Sequence, residues 1–448
     1  MSTGFLKSAL LISGVLVAAF AAGCQNDTGS TSGLSIPNTS ATSPPLSGSG
    51  GTSTTSNPTP TGTTTSTPTP TPTVTSTVGL NLLSITVGGS SLCGGNLNQP
   101  CASVVICSPG TNTCQTISNL LVDTGSYGLR IFSSAISVPL TQVTNASGTP
   151  VAECAQFGTG SDWGPVMMAS VQVASEPFVT LPIQVINSSF SVIPSSSGCT
   201  SPDTSPSTAG FNGILGVGLF TQDCGSSCVS SGGNGPYYAC SGNSCTVTPL
   251  ALNEQVQNPI ALLPFDNNGV VMNLSSVPAS GTTSLNGTMY LGIGTQANNT
   301  PSGVTTYLAD GSGEFNTKFS GSSTTYSQSF IDSGSNGLFF PTPSGLVSCS
   351  SSDTAAPGWF CPASTTNFTA MNSSYNGSTS GNVTFSIANA HTLFSSGNEV
   401  FNDAGASSGV SSFTASFDWG LPFFLGRKVY VGIEGKSSTL ATGPYWAY

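Results

Sequence analysis

The chain reads as an all-β protein of two lobes related by internal duplication, and two observations predict this. The first is a repeated motif. Asp123-Thr124-Gly125-Ser126-Tyr127-Gly128-Leu129 follows Leu120-Leu121-Val122, and Asp332-Ser333-Gly334-Ser335-Asn336-Gly337-Leu338 follows Ser329-Phe330-Ile331. One D-[ST]-G is a common turn, but two copies with matching flanks place one carboxylate in each half of the chain. The second observation is the texture between them. Short apolar segments rich in Val, Ile, Phe and Thr recur at 80–87, 166–173, 179–186, 269–274, 288–293 and 428–433, separated by Gly, Pro, Asn and Ser clusters. No long stretch carries a helical period.

Along the chain, residues 1–23 have the form of an export signal. Lys7 supplies the positive start, residues 10–22 the apolar run, and Ala21-Ala22-Gly23-Cys24 a cleavage site. The run is too short to anchor a bilayer by itself. Ala-Ala-Gly-Cys resembles a bacterial lipobox, which would make Cys24 the lipid-bearing first residue of an envelope protein held to a membrane through its N-terminus. Residues 24–78, rich in Ser, Thr, Pro and Gly, cannot bury enough apolar surface to order themselves and read as a tether. An inhibitory propeptide is the other reading considered, but from residue 25 to 78 there is no Lys or Arg to hold a carboxylate pair. The rest suits two lobes, at 79–295 and 296–448.

The chain has 13 Cys, and setting Cys24 aside leaves an even number, the pattern of a disulfide-bonded exported protein. Cys93–Cys101, Cys107–Cys114 and Cys349–Cys361 each bracket a short loop and are expected local pairs. Cys224, Cys228, Cys240 and Cys245 cluster in a Gly/Ser-rich insertion, where a zinc site is conceivable and disulfides are favoured by export. Charge is sparse and acidic, 6 Lys+Arg against 17 Asp+Glu. That excludes nucleic acid and polybasic membrane contacts as partners, and it leaves few ion pairs for acid to break.

Paired carboxylates are the equipment of general acid–base activation of water. Other segments fall in order around the two Asp motifs: Gln156-Phe157-Gly158-Thr159-Gly160-Ser161, Ile214-Leu215-Gly216, Gly287-Thr288-Met289-Tyr290-Leu291-Gly292 and Phe424-Leu425-Gly426. In this order the chain resembles the pepsin-like aspartic endopeptidases. The resemblance implies a bilobal pepsin-like β fold whose cleft holds an extended peptide, with Asp123 and Asp332 meeting at its floor. It further implies a flap at Phe157, Gly158, Thr159 and Gly160, and hydrophobic-hydrophobic-Gly crossings at 214–216 and 424–426. Thr124 and Ser333 would interlock the two loops, Ser126 and Ser335 would bond the outer carboxylate oxygens, and Gly125 and Gly334 complete the motifs. Further details, Cys154-Ala155-Gln156-Phe157, Trp163-Gly164-Pro165-Val166, Gly426-Arg427-Lys428-Val429-Tyr430 and the ending Gly443-Pro444-Tyr445-Trp446-Ala447-Tyr448, are similar to a family of exported bacterial proteins known only as a domain of unknown function.

The chain departs from the pepsin pattern in one linked pair. Phe157 stands for the flap Tyr, and Arg130 for the Trp that bonds it. Arg130 could favour an ionised dyad, bind a substrate carboxylate, or form a structural ion pair with a nearby acid such as Asp162; the ion pair is the plainest reading. Rival chemistry has little to work with. His391 is the only histidine, so a Ser-His-Asp hydrolase would have to use it, and a histidine-based metal site has too few ligands. Asp162-Trp163-Gly164 and Asp418-Trp419-Gly420 read as turns with a packed Trp, and Gly292-Ile293-Gly294 as a turn. The expected protein is a monomeric aspartic endopeptidase acting on peptide or protein segments, with no metal or organic cofactor. The contrasting expectations are a catalytically silent peptide-binding cleft and a surface adhesin on a Thr/Pro stalk.

Overall fold

A computed structural model describes residues 79–89, 93–158, 160–230, 235–408 and 415–448. The export signal, Cys24, the tether and the flap residue Thr159 lie outside the described residues.

Alternating buried and exposed positions, as in Leu82–Gly88, produce strands with one face on a core. Among the described residues the strands form two sheets, one of sixteen strands and one of seven. Each contains the same device. In the first, Cys114–Asp123 runs into the Asp loop and returns as Tyr127–Phe132, and Gly213–Val217 is inserted between the two. It is parallel to the outgoing strand (Asp123 opposite Gly216) and antiparallel to the returning one (Gly128 opposite Gly216). In the second, Tyr326–Ile331 leads to the Asp332 loop, Leu338–Phe340 returns, and Asp418–Trp419 is inserted with the same two senses. The duplication expected from the motifs is therefore a duplication of topology, and the fold is all-β and pepsin-like. The final strands Lys428–Gly432 and Tyr445–Ala447 join the larger sheet beside Gly269–Asn273.

The second crossing is made by Asp418-Trp419-Gly420 and not by Phe424-Leu425-Gly426. The latter follows a helical turn, Leu421–Phe424, that packs its apolar side chains into the core. The crossing needs Gly at its third position because a Cβ at Gly420 would lie 2.0 Å from the Gly337 carbonyl oxygen; Gly216, its counterpart, meets Tyr127 and Gly128 backbone at 2.8 Å. Nor are the two Asp-Trp-Gly tripeptides turns. Residues 162–164 lie within the strand Gly160–Val173, and both tryptophans are fully buried. Gly292 and Gly294 do sit in left-handed backbone, at φ 80° and 66°.

The three local disulfides form as expected, and the four-Cys cluster resolves into Cys224–Cys228 and Cys240–Cys245, which removes the zinc alternative. A sixth bridge joins Cys154 to Cys199. Six disulfides belong to an oxidising, extracytoplasmic setting. Among the described residues no helix is long and apolar enough to cross a membrane.

Candidate active site

The two Asp loops face one another and are cross-tied by hydroxyl side chains. The Thr124 hydroxyl donates to the Ile331 carbonyl (2.9 Å) and accepts from the Ser333 backbone N–H (2.9 Å). Ser333 returns both bonds, donating to the Val122 carbonyl (2.7 Å) and accepting from the Thr124 N–H (3.1 Å). All four groups are buried, so each bond replaces water that cannot enter. This is the interlock the resemblance implied.

Within each loop the carboxylate is held by its own motif. Asp123 Oδ1 accepts from the Gly125 N–H at 2.8 Å and its Oδ2 from the Ser126 hydroxyl. Asp332 Oδ1 accepts from the Gly334 N–H at 2.7 Å and its Oδ2 from the Ser335 hydroxyl at 2.8 Å. The glycines also let the loops approach. A Cβ on Gly125 would lie 2.6 Å from Asp332 Cγ, and one on Gly334 would lie 2.8 Å from Asp123 Oδ1. The two carboxyls are thus near neighbours, and burial first, then the charge of Asp123, push Asp332 well above the usual carboxylate range. Two acids in contact out of water share a proton and titrate as a unit.

Ser335 has a second carboxyl neighbour that the motif did not announce. Its Oγ lies 2.6 Å from Asp418 Oδ2, the acid in the second crossing strand. The available signal was the repeated Asp-Trp-Gly, whose Gly has the place in the second half that Gly216 has in the first.

Arg130 is not brought to the dyad. Its guanidinium donates to the Tyr127 carbonyl (2.7 Å), Glu153 (2.7 Å) and Asp223 (3.0 Å), and all three side chains are buried. The ion-pair expectation is right in kind, but Asp162 is not the partner: neither of its oxygens has a hydrogen-bond partner among the described residues. Tyr237 donates its hydroxyl to Asp223. Burial and then Glu153 raise Asp223 well above its ordinary range, while the two carboxylates hold Arg130 charged. Glu153, Asp223 and Tyr237 belong to no recognisable motif, and only the fold assembles them.

The flap residues form a hairpin in which Phe157 pairs with Gly160, with Gly158 at its turn. The Arg130 guanidinium lies 5.8 Å from the Phe157 ring centroid, so the two altered members of the pepsin pair remain neighbours. The hairpin is braced on both edges. Residues 151–153 pair with 237–239, and on the other side Cys154–Cys199, Gln156 to the Ser197 carbonyl (3.2 Å) and Ser161 to the Thr200 carbonyl (2.9 Å) tie it to a loop. His391 is on the surface beside Asp353 (2.7 Å), in a short helix.

A duplicated crossing that presents two interlocked, hydrogen-bonded Asp loops defines the pepsin-like aspartic proteinase fold. Residues 77–448 match the family described as "Protein of unknown function (DUF3443)", and the chain belongs to it. No curated protein matches the chain. Among solved structures it is similar to an aspartic proteinase from Irpex lacteus, at 17% identity and a TM-score of 0.44, over 82% of this chain and 96% of that one. The duplicated topology, and not this likeness, carries the fold assignment.

Proposed function

We propose that the protein is an aspartic endopeptidase of the bacterial cell envelope, exported, lipid-anchored through Cys24 and acting as a monomer on extended peptide segments. The observation that carries this reading is the facing pair Asp123 and Asp332, buried against each other's motif glycines and each supported by a backbone N–H and a serine hydroxyl. Structural turn aspartates do not require a partner carboxyl in contact, and burying two acids together is costly unless the shared proton is used.

The chemistry follows from that proton. The ionised carboxyl takes a proton from water as its oxygen attacks the peptide carbonyl, and the protonated carboxyl donates to the carbonyl oxygen. Collapse of the tetrahedral intermediate then expels the amine, which takes a proton from the newly protonated carboxyl, while the other carboxylate recovers one from a diol hydroxyl, leaving the carboxylic acid product and one proton on the dyad. Phe157 in the flap supplies an apolar cover but no hydroxyl donor, and Arg130, engaged with Glu153 and Asp223, supports the flap from below.

The test is incubation of the protein, disulfides formed, with unfolded protein from about pH 3 to pH 7, the span over which a carboxyl pair changes protonation. Asp123→Asn and Asp332→Asn run beside it after a check that both fold. Cleavage by the parent and by neither variant supports the dyad. Silence across the range, with peptide retained by the parent, makes capture without cutting the better reading.

A further inference from the structure

The second crossing differs from the first at one chemically decisive position. Ile214 lies opposite Leu121 and Arg130; Asp418 lies opposite Phe330 and Phe339, the residues that match those two in the second copy. The same backbone place behind the dyad is thus apolar in one half and a carboxyl in the other. The side chain is 2% exposed, its Oδ2 is bonded to Ser335, and its Oδ1 has no hydrogen-bond partner among the described residues.

Ser335 Oγ is 2.8 Å from Asp332 Oδ2 and 2.6 Å from Asp418 Oδ2. A hydroxyl has one proton, so it cannot donate to both carboxyls. One of them must donate to Oγ instead, which gives a directed chain: carboxylic O–H to Ser335 Oγ, Ser335 O–H to carboxylate. Asp332 has the Gly334 N–H on its inner oxygen, whereas the inner oxygen of Asp418 faces no donor. When the dyad's proton sits on Asp123, the charge is therefore better placed on Asp332 than on Asp418, which keeps its own proton.

We propose that Asp418 is a positioning residue of the dyad: kept as a neutral acid, it donates to the Ser335 hydroxyl and aims that hydroxyl at the outer oxygen of Asp332. The inference rests on reading Asp123 and Asp332 as a working pair. Burial, followed by the charges of Asp332 and Asp123, raises Asp418 well above the ordinary range, in keeping with a retained proton. A hydroxyl that is itself accepting a hydrogen bond is a stronger donor, so Asp332 ionises more readily than it would above an apolar residue.

The experiment follows the carboxyl carbon of Asp332 by 13C NMR in the full chain labelled at Asp. The Asp332→Asn variant assigns the signal, and thermal unfolding confirms each variant's fold. Asp418→Ile, which copies the first crossing, is expected to raise the Asp332 midpoint by about half to one pH unit. Asp418→Asn, whose amide N–H still donates to Ser335, is expected to leave it in place. Should the Ile variant fail to fold, Ser335→Ala breaks the chain at its middle. It is expected to raise the midpoint, with no further change on adding Asp418→Asn. An unmoved midpoint in Asp418→Ile or Ser335→Ala overturns the proposal. So does a lowered one in Asp418→Ile, since that is the sign expected on removing an anion. The readout needs no substrate, so the two readings separate. A shift without cleavage keeps the Asp418 chain and sinks the peptidase; dyad-dependent cleavage without a shift does the reverse.

Discussion

Thr124 and Ser333 show how much depends on single hydroxyls. Each bridges from its own loop to the carbonyl and N–H of the other, so removing either leaves groups without partners in a dry interface. Thr124→Val keeps the shape and deletes the hydroxyl. It is expected to cost about 1–3 kcal/mol for each orphaned group, read as a lowered midpoint in denaturant unfolding with an unchanged slope. The same change is expected to lower cleavage at temperatures where the variant is still folded, because the loops it ties hold the carboxyls together. Gly125→Ala acts by another route: its methyl would collide with the Asp332 carboxyl, so a folded variant has to hold the two acids farther apart.

At the scale of elements, the flap base rests on a buried ion-pair cluster where pepsins have a Tyr–Trp pair. Arg130 belongs to the strand Tyr127–Phe132, Glu153 to Val151–Phe157, and Asp223 follows the first crossing; the guanidinium joins all three. Arg130→Met leaves two acids facing each other without a cation and is expected to destabilise by roughly 3–5 kcal/mol. Adding Glu153→Gln and Asp223→Asn to that variant should recover part of the loss, since the unpaired charges rather than the packing carry the cost. Thermal unfolding of the single and triple variants checks this; equal stability of the two would show that packing dominates. If the braced flap closes the cleft, a Cys154→Ser/Cys199→Ser variant is expected to show a weakened KM more than a reduced kcat.

For the molecule as a whole, buried acids set the response to pH. Burial and then Asp203 push Asp162 up to about 8, burial and then Asp310 push Glu314 up to about 7, and burial pushes Asp403 up to about 6. Unfolded, such groups titrate near pH 4. Between those values the folded chain binds more protons than the unfolded one, so stability falls as pH rises. Each contribution is greatest below the unfolded pKa and is lost as pH climbs through the folded one. Asp353 runs the other way, lowered to about 2 chiefly by its hydrogen bond to His391, and it acts only at the acid extreme. The thermal midpoint is therefore expected to be higher near pH 5 than near pH 8, and Asp162→Asn should flatten that slope. A parent whose midpoint rises from pH 5 to pH 8 would contradict the assignment.

Local patterns were enough for the all-β class, the duplication, the two Asp loops with their Thr and Ser partners and the three short disulfides. Each is written in contiguous residues, because a turn, an alternating strand or a close pair of cysteines needs only its own neighbours. The second crossing was misplaced for a related reason. Phe424-Leu425-Gly426 has the expected letters, but the strand that fits between Ile331 and Leu338 is chosen by register and by the space that Gly420 leaves for the Gly337 carbonyl. The acidic partners of Arg130, the Cys154–Cys199 bridge and the contact of Asp418 with Ser335 join residues 23 to 93 positions apart. Their roles depend on burial and on which acid lacks a donor, quantities that exist only once the chain has closed around them.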